Sequence, residues 1–453
     1  MLDILIKNGS YPDFNENELK KANIGIEDGK ITYIGEEAPE ADKVIDAEGR
    51  VVSPGFIDIH MHEEDFTEGR KYIIAEMMAK QGVTTAVGGN CGVLHQTVKE
   101  FRDTVEELGG APVNYMMLSG YNAYWTELGL GHYDKSTLEQ RAVIKEKIKS
   151  DLEAGAIGIS FGIEYDPGIT TEEMIEAANM NDDDGLLVAA HYRADGINSI
   201  PAIEEMIEIQ SNIGKRFQIS HLSSCSAMGT MKEALDTINS YIEKDPRLNY
   251  DTYPYNAFST YIGSTVFEPG CLEAWHKDYS DLLLQGEPYK NQPATKESFE
   301  DARENYPDML VVAIVMNEDE IAAAIANPNG MVASDGIIAN GNGHPRAAGT
   351  FPRVLGKYVR EDKVLDIVTA LRKISLEPAK RLDMEHRKGD IHVGADADIT
   401  IFDPETIIDG PSFADINLPN KGIDYVIVNG KVAVKDNEFI DDRAGKFIAY
   451  ADK

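Results

Sequence analysis

Eight short apolar runs, spread through the middle of the chain and separated by helical stretches, constrain its fold more than any other feature. They cover residues 55–60, 84–88, 114–118, 157–160, 186–191, 218–221, 248–251 and 330–334. Runs of four to six residues are strand-sized, and near-continuous apolar character is the mark of parallel strands buried on both faces. The stretches between them, at 73–80, 135–154, 171–179, 199–213 and 228–244, read as helices, several starting beside Ser, Thr or Asp caps. Strands alternating with helices in this number predict an α/β chain built as a (β/α)8 TIM barrel.

The two ends have a different texture. Short strands are expected at 3–7, 23–26, 30–35 and 43–46, with Asp28-Gly29 as a turn, and again at 398–403, 424–429 and 431–435. Residues 1–54 and 390–453 are therefore expected to form one small β-sandwich domain from both termini, leaving 55–389 for the barrel. The connection at 256–330 is long for one barrel loop, carries a Gly- and Pro-punctuated region at 280–307, and reads as a lid insertion.

Composition narrows the setting. The net charge of -35 repels phosphate backbones and anionic lipid, arguing against nucleic-acid and membrane partners. No apolar run approaches the ~18 residues of a membrane span. The three widely spaced cysteines do not form a secreted disulfide framework, and a cytoplasmic protein is expected. Cys225 and Cys271 read as buried apolar thiols, and Asp182-Asp183-Asp184 as solvated surface.

The chemistry-bearing residues fall at strand ends. His60 and His62, two apart at the end of the first strand, project to one face and can reach one ion. Cys91, between glycines after the second strand, is a zinc ligand as thiolate. His191 and His221 end successive strands where a barrel delivers side chains to its top face. Asp335 ends the last strand and is the expected general base as well as a ligand, while Asp58, which points with His60 and His62 by alternation, is read as a structural residue in support of the imidazoles. Together these residues predict a metal centre.

The ordered series Val52-Ser53-Pro54-Gly55-Phe56-Ile57-Asp58-Ile59-His60-Met61-His62, Gly88-Gly89-Asn90-Cys91-Gly92, Gly162 to Gly168, His191-Tyr192-Arg193, Ser220-His221, Asp251 to Tyr255, and His344-Pro345-Arg346 resembles the amidohydrolase superfamily. More narrowly, it is similar to the D-aminoacylase, or N-acyl-D-amino-acid deacylase, family over nearly the whole chain. The resemblance implies a tightly held Zn2+ on Cys91, His191 and His221, and a second, weaker position on His60, His62 and Asp335 with Cys91 bridging. Ser223 stands where that family often carries a lysine for the substrate carboxylate. Arg193, Arg346, Tyr165, Tyr255 and Ser223 are the expected substrate contacts.

The implied reaction is zinc-dependent hydrolysis of the amide of a small N-acyl, N-formyl or N-carbamoyl D-amino acid. Asp335 takes a proton from water and returns it to the departing amine. The same centre could open a cyclic amide, as hydantoinases and dihydroorotases do, or cleave a dipeptide. A catalytically silent scaffold is disfavoured because all six ligand positions are filled. The sequence leaves the oligomeric state open.

Overall fold

The computed structural model describes residues 1–67, 69–339 and 341–453. All eight expected apolar runs contain a strand, and these strands pair in parallel. We label them β1 (Phe56–Asp58), β2 (Val83–Gly88), β3 (Asn114–Met117), β4 (Gly158–Gly162), β5 (Leu187–His191), β6 (Arg216–Ile219), β7 (Leu248–Thr252) and β8 (Met331–Val332). One sheet has the order β3-β2-β1, and a second runs from Ser119–Gly120 through β4, β5, β6 and β7 to β8. Ile157 N donates to Met117 O at 2.8 Å where β3 meets the second sheet. At the other edge Met61 bridges Gly336 in parallel, and Asp335 N donates to His60 O at 2.8 Å. Burial on both faces accounts for the unbroken apolar runs: every described residue of β2, β4 and β5 is buried.

The helices follow local signals. Leu138–Ala154 starts at a capping box between Thr137 and Gln140 and stops at Gly155, whose φ of 112° is left-handed. The stretch expected as one helix over 228–244 begins instead at Met231, and a separate short helix, Leu222–Ser226, precedes it. Gly229, at φ 104°, lies between the two.

The connection at 256–330 is an ordered unit, not an open loop. Its strands Phe258–Tyr261, Leu310–Ala313, Leu282–Leu284 and Gln292–Pro293 form an antiparallel sheet in that order. Phe258, Phe267 and Trp275 pack together there, with ring centroids 5.4–6.1 Å apart, within the main apolar core. Strands in this connection escaped the sequence reading because short runs between Gly and Pro resemble loops.

Two further sheets come from the chain ends. Leu2–Lys7 pairs with Asn23–Glu27 and Ala41–Asp46, close to the expected positions. Val51–Pro54 pairs antiparallel with Ile399–Phe402, joining the N-terminal segment to the C-terminal one. Both sheets contribute to one apolar cluster that includes Ile4, Ile26, Val52, Ile399 and Ile427. The C-terminal segment then returns to the parallel layer, where Phe447 bridges Tyr115 of β3. No helix of the described residues is long and apolar enough to cross a membrane.

Candidate metal centre

The loops after the parallel strands converge on four buried side chains. One ligand atom from each of His60, Cys91, His221 and Asp335 lies within 4.8 Å of the others. Cys91 Sγ is 3.3 Å from His60 Nε2 and 3.5 Å from His221 Nε2. Asp335 Oδ1 is 3.4 Å from His60 Nε2 and 3.3 Å from His62 Nε2, so His62 stands at the edge of the group.

Three of these residues have left-handed backbone: Cys91 at φ 54°, His221 at φ 35° and Asp335 at φ 50°. Such conformations cost of order 1–3 kcal/mol each in non-glycine residues and persist where the surroundings impose them. Here they turn each side chain inward directly after a strand. Gly89, at φ 74°, permits the turn before Cys91, since a Cβ there would meet Leu118 O at 2.1 Å.

The His60 ring and the His221 backbone are held from behind by Asp251 at the end of β7. Its Oδ1 accepts from His60 Nδ1 at 3.1 Å and from His221 N at 2.8 Å, and its Oδ2 accepts from Gln218 Nε2 at 3.0 Å. Asp58 takes the structural place read for it, bonding backbone, and the hold on the His60 ring falls to Asp251. Asp58 Oδ1 accepts from backbone His60 N at 3.2 Å and Ser334 N at 3.0 Å, tying β1 to the segment after β8.

Burial would raise the Cys91 thiol, but the facing His60 and His221 outweigh it and hold the thiol well below its ordinary value. Burial likewise opposes ionisation of Asp335, yet Arg346 and His221 keep it well below the usual carboxylate range. Burial depresses His62, whereas Asp335 and Cys91 lift it to about 9. A thiol inclined to ionise, imidazoles and a carboxylate, all buried and within reach of one point, are the donor chemistry zinc selects. The residues fit a zinc ion.

His191 faces Cys91 and packs its ring 4.4 Å from that of His221, and it has further neighbours besides. Its Nε2 lies 2.6 Å from Glu164 Oε2 and 3.8 Å from Cys225 Sγ, and Glu164, His191 and Cys225 form a further group with metal-ligating atoms. Cys225 is buried as expected but is not surrounded only by apolar groups: its Sγ also lies 3.9 Å from His221 Nδ1. Burial pushes this thiol up, while His191 and His221 bring it to about 7. The sequence offered a signal for it, since a residue four after His221 returns to the same face of a helical turn. Glu164 had a weaker one, as an acid just beyond the end of β4.

Of the five expected substrate contacts, two line the cleft beside the centre and three do not. Tyr165 and Arg346 line a cavity of about 520 Å³ that also reaches His62, Cys91 and Asp335. Arg346 Nη1 pairs with Asp335 Oδ2 at 2.9 Å, Nη2 donates to Ser259 O at 3.1 Å, and the guanidinium lies 4.7 Å over the Tyr253 ring. The Arg193 guanidinium is committed to Glu205, at 2.7–2.8 Å, and to the carbonyls of Pro167 and Ile169. Tyr255 OH donates to Asp409 at 3.0 Å, and Ser223 is fully buried against Thr252. These three side chains are engaged by the scaffold. The 256–330 connection supplies Ser259, Thr260, Tyr261 and Ser264 to the cleft wall.

The chain matches the amidohydrolase family model over residues 43–160 and 305–434. It is 28% identical to the D-aminoacylase of Alcaligenes xylosoxydans xylosoxydans, over 99% of this chain and 97% of that one. It is 29% identical to the N-acyl-D-glutamate deacylase of the same organism, over 95% and 93% of the two chains. Among solved structures, the N-acyl-D-glutamate deacylase of Bordetella bronchiseptica, complexed with zinc and a phosphonate mimic of the tetrahedral intermediate, superposes with a TM-score of 0.87. That protein is 26% identical, with 99% of both chains covered.

Proposed function

The chain belongs to the amidohydrolase family, and from that premise we propose that it is a zinc-dependent hydrolase of small N-acyl-D-amino acids, releasing a carboxylate and a free amino acid. The observation that carries the reading is the convergence of His60, Cys91, His221 and Asp335, with Cys91 and Asp335 reaching a cleft that Arg346 also lines. The similarity to deacylases along almost the full length of both chains supports it.

His60, Cys91, His191, His221 and Asp335 would hold the metal, with His62 at its edge. When bound there, zinc supplies Lewis-acid polarisation of the amide carbonyl and acidifies water. Asp335, kept ionised by Arg346, accepts the proton of the attacking water and delivers it to the departing amine. Asp251 fixes the His60 ring through its Nδ1, leaving Nε2 for the centre. We assign the substrate carboxylate to Arg346, whose buried Nε has no hydrogen-bond partner, and a wall contact to Tyr165.

We read the parallel strands, bridged at both junctions between their sheets, as a (β/α)8 barrel spanning residues 55–389. Residues 1–54 and 390–453 are read as a β-sandwich domain and 256–330 as a lid. A cytoplasmic location agrees with three cysteines that are all free.

The test is amino-acid release by zinc-loaded protein of measured metal content, from N-acetyl, N-formyl and N-carbamoyl derivatives of D- and L-amino acids. Release from D-substrates alone is expected. Turnover of cyclic amides with silence across this panel would overturn the assignment.

A further inference from the structure

The metal centre is also reached from the opposite end of the parallel strands. The helix Leu376–Arg381 lies there, where Ala379 and, just beyond the helix, Leu382 pack with Ile57, Val87 and Leu187 in one apolar cluster. Arg216, the first residue of β6, donates through Nη1 to the Arg381 carbonyl at 3.2 Å, whereas His221 follows the end of that strand. The buried Arg381 guanidinium runs along β6: Nη2 donates to the Phe217 carbonyl, and Nε donates to Gln218 Oε1 at 3.0 Å. Gln218 Nε2 in turn donates to Asp251 Oδ2 at 3.0 Å, and Asp251 Oδ1 accepts from His60 Nδ1 and His221 N. We propose that Arg381 and Gln218 are positioning residues for the metal centre. With Asp251 they form one hydrogen-bonded relay that sets the His60 ring and the turn at His221.

The chemistry of the three groups allows only this order. A guanidinium donates and never accepts, and an ionised carboxylate accepts and never donates. An amide does both, so Gln218 joins them in a single sense, its oxygen toward Arg381 and its nitrogen toward Asp251. A hydrocarbon at 218 would take this donor from Asp251 Oδ2. A carboxylate there would face Asp251 with a like charge.

Arg381, Gln218 and Asp251 are all buried. Burial and the charge of Arg216 pull Arg381 down to about 9 from an ordinary 12.5, and Asp251 is the first of the carboxylates that offset them. A guanidinium is costly in such a place unless an opposite charge answers it. Asp251 answers it one amide away, so each charge steadies the other and the ligands on Asp251 take their geometry from both.

The inference rests on the reading of this centre as a zinc site. Its test is a double-variant cycle on zinc affinity, measured by competition with a chelator, using Gln218→Leu, Arg381→Met and the two together. Loss of a group that orients a metal ligand typically costs about 10–100-fold in affinity, and the lower end applies where a further bond intervenes. Each single variant should therefore bind zinc about tenfold more weakly, and the double variant should be no more than about threefold worse than either, because one relay is cut. Arg381→Lys, which keeps the charge and a donor, should recover part of the loss. Thermal melts of the zinc-free proteins read separately the stability that a merely structural role would remove. A folded Gln218→Leu protein with wild-type zinc affinity would overturn the proposal, as would losses that multiply in the double variant. Should Arg381→Met fail to fold, Gln218→Leu decides alone. Either refutation, with zinc held by the wild type, leaves the proposed function standing; a wild type without zinc affinity would remove that reading and the relay with it.

Discussion

Replacing Asp335 by Asn separates its proton chemistry from its shape. The amide fills the same volume beside Arg346 and His62 but accepts no proton at neutral pH. Loss of a positioned general base costs typically 10²–10⁴ in rate, or about 3–5 kcal/mol of barrier. The substitution also leaves the Arg346 charge, 2% exposed, without its carboxylate. Breaking a buried pair costs about 3–5 kcal/mol, and the lower end applies because Arg346 keeps its bond to Ser259 O and its stack on Tyr253. At roughly 2 cal/mol/K of unfolding entropy per residue, a chain of 453 residues loses about 3 °C in Tm. The assay is kcat/KM at matched zinc content, with a thermal melt of the same samples. A variant within tenfold of wild type, fully zinc-loaded and folded, would refute Asp335 as the base.

Arg193→Ala should lower thermal stability while changing KM less than threefold, because its guanidinium binds Glu205 and backbone carbonyls; a tenfold rise in KM would return it to the substrate site. Gly89→Ala combines a left-handed φ with a collision against Leu118 O and should lose on the order of 3 kcal/mol, read from the urea midpoint, together with metal affinity at Cys91. In the terminal module, burial pushes the Asp396 carboxyl up, but Lys388, Lys30 and Arg387 outweigh it and hold it at about 2, below its ordinary 3.8. A depressed carboxyl stabilises the fold above pH 3.8 and loses that contribution as pH falls through about 2. Allowing for solvent screening, Asp396→Asn should remove about 1–2 kcal/mol of stability at pH 7 and flatten the acid limb of the unfolding curve, as measured by denaturant titration at several pH values.

The positions of the ligands were legible because parallel strands repeat one rule: the last side chain before each loop reaches the same end of the sheet. His60, Cys91, His221 and Asp335 could be read from that rule with no knowledge of distances. Side-chain direction beyond the strand end was not legible, because one backbone dihedral decides it. Arg193, two residues beyond His191, turns outward to Glu205, and Ser223, two beyond His221, turns into the scaffold against Thr252. Glycines mark the unusual turns at Gly89 and Gly92 around Cys91, and at Gly336 after Asp335, so a careful reader could suspect strain there. His221 has no such marker. Its φ of 35° is accompanied by the bond from its own N–H to Asp251 and by the Ser224 hydroxyl, contacts made by a neighbouring strand and the next helical turn. Those contacts belong to tertiary structure, which explains why periodicity found His221 but missed both Asp251 as its holder and Cys225 as its second thiol neighbour. The general consequence is that sequence rules locate a site through its regular elements. The residues that hold the ligands in place are set by the irregular turns between those elements.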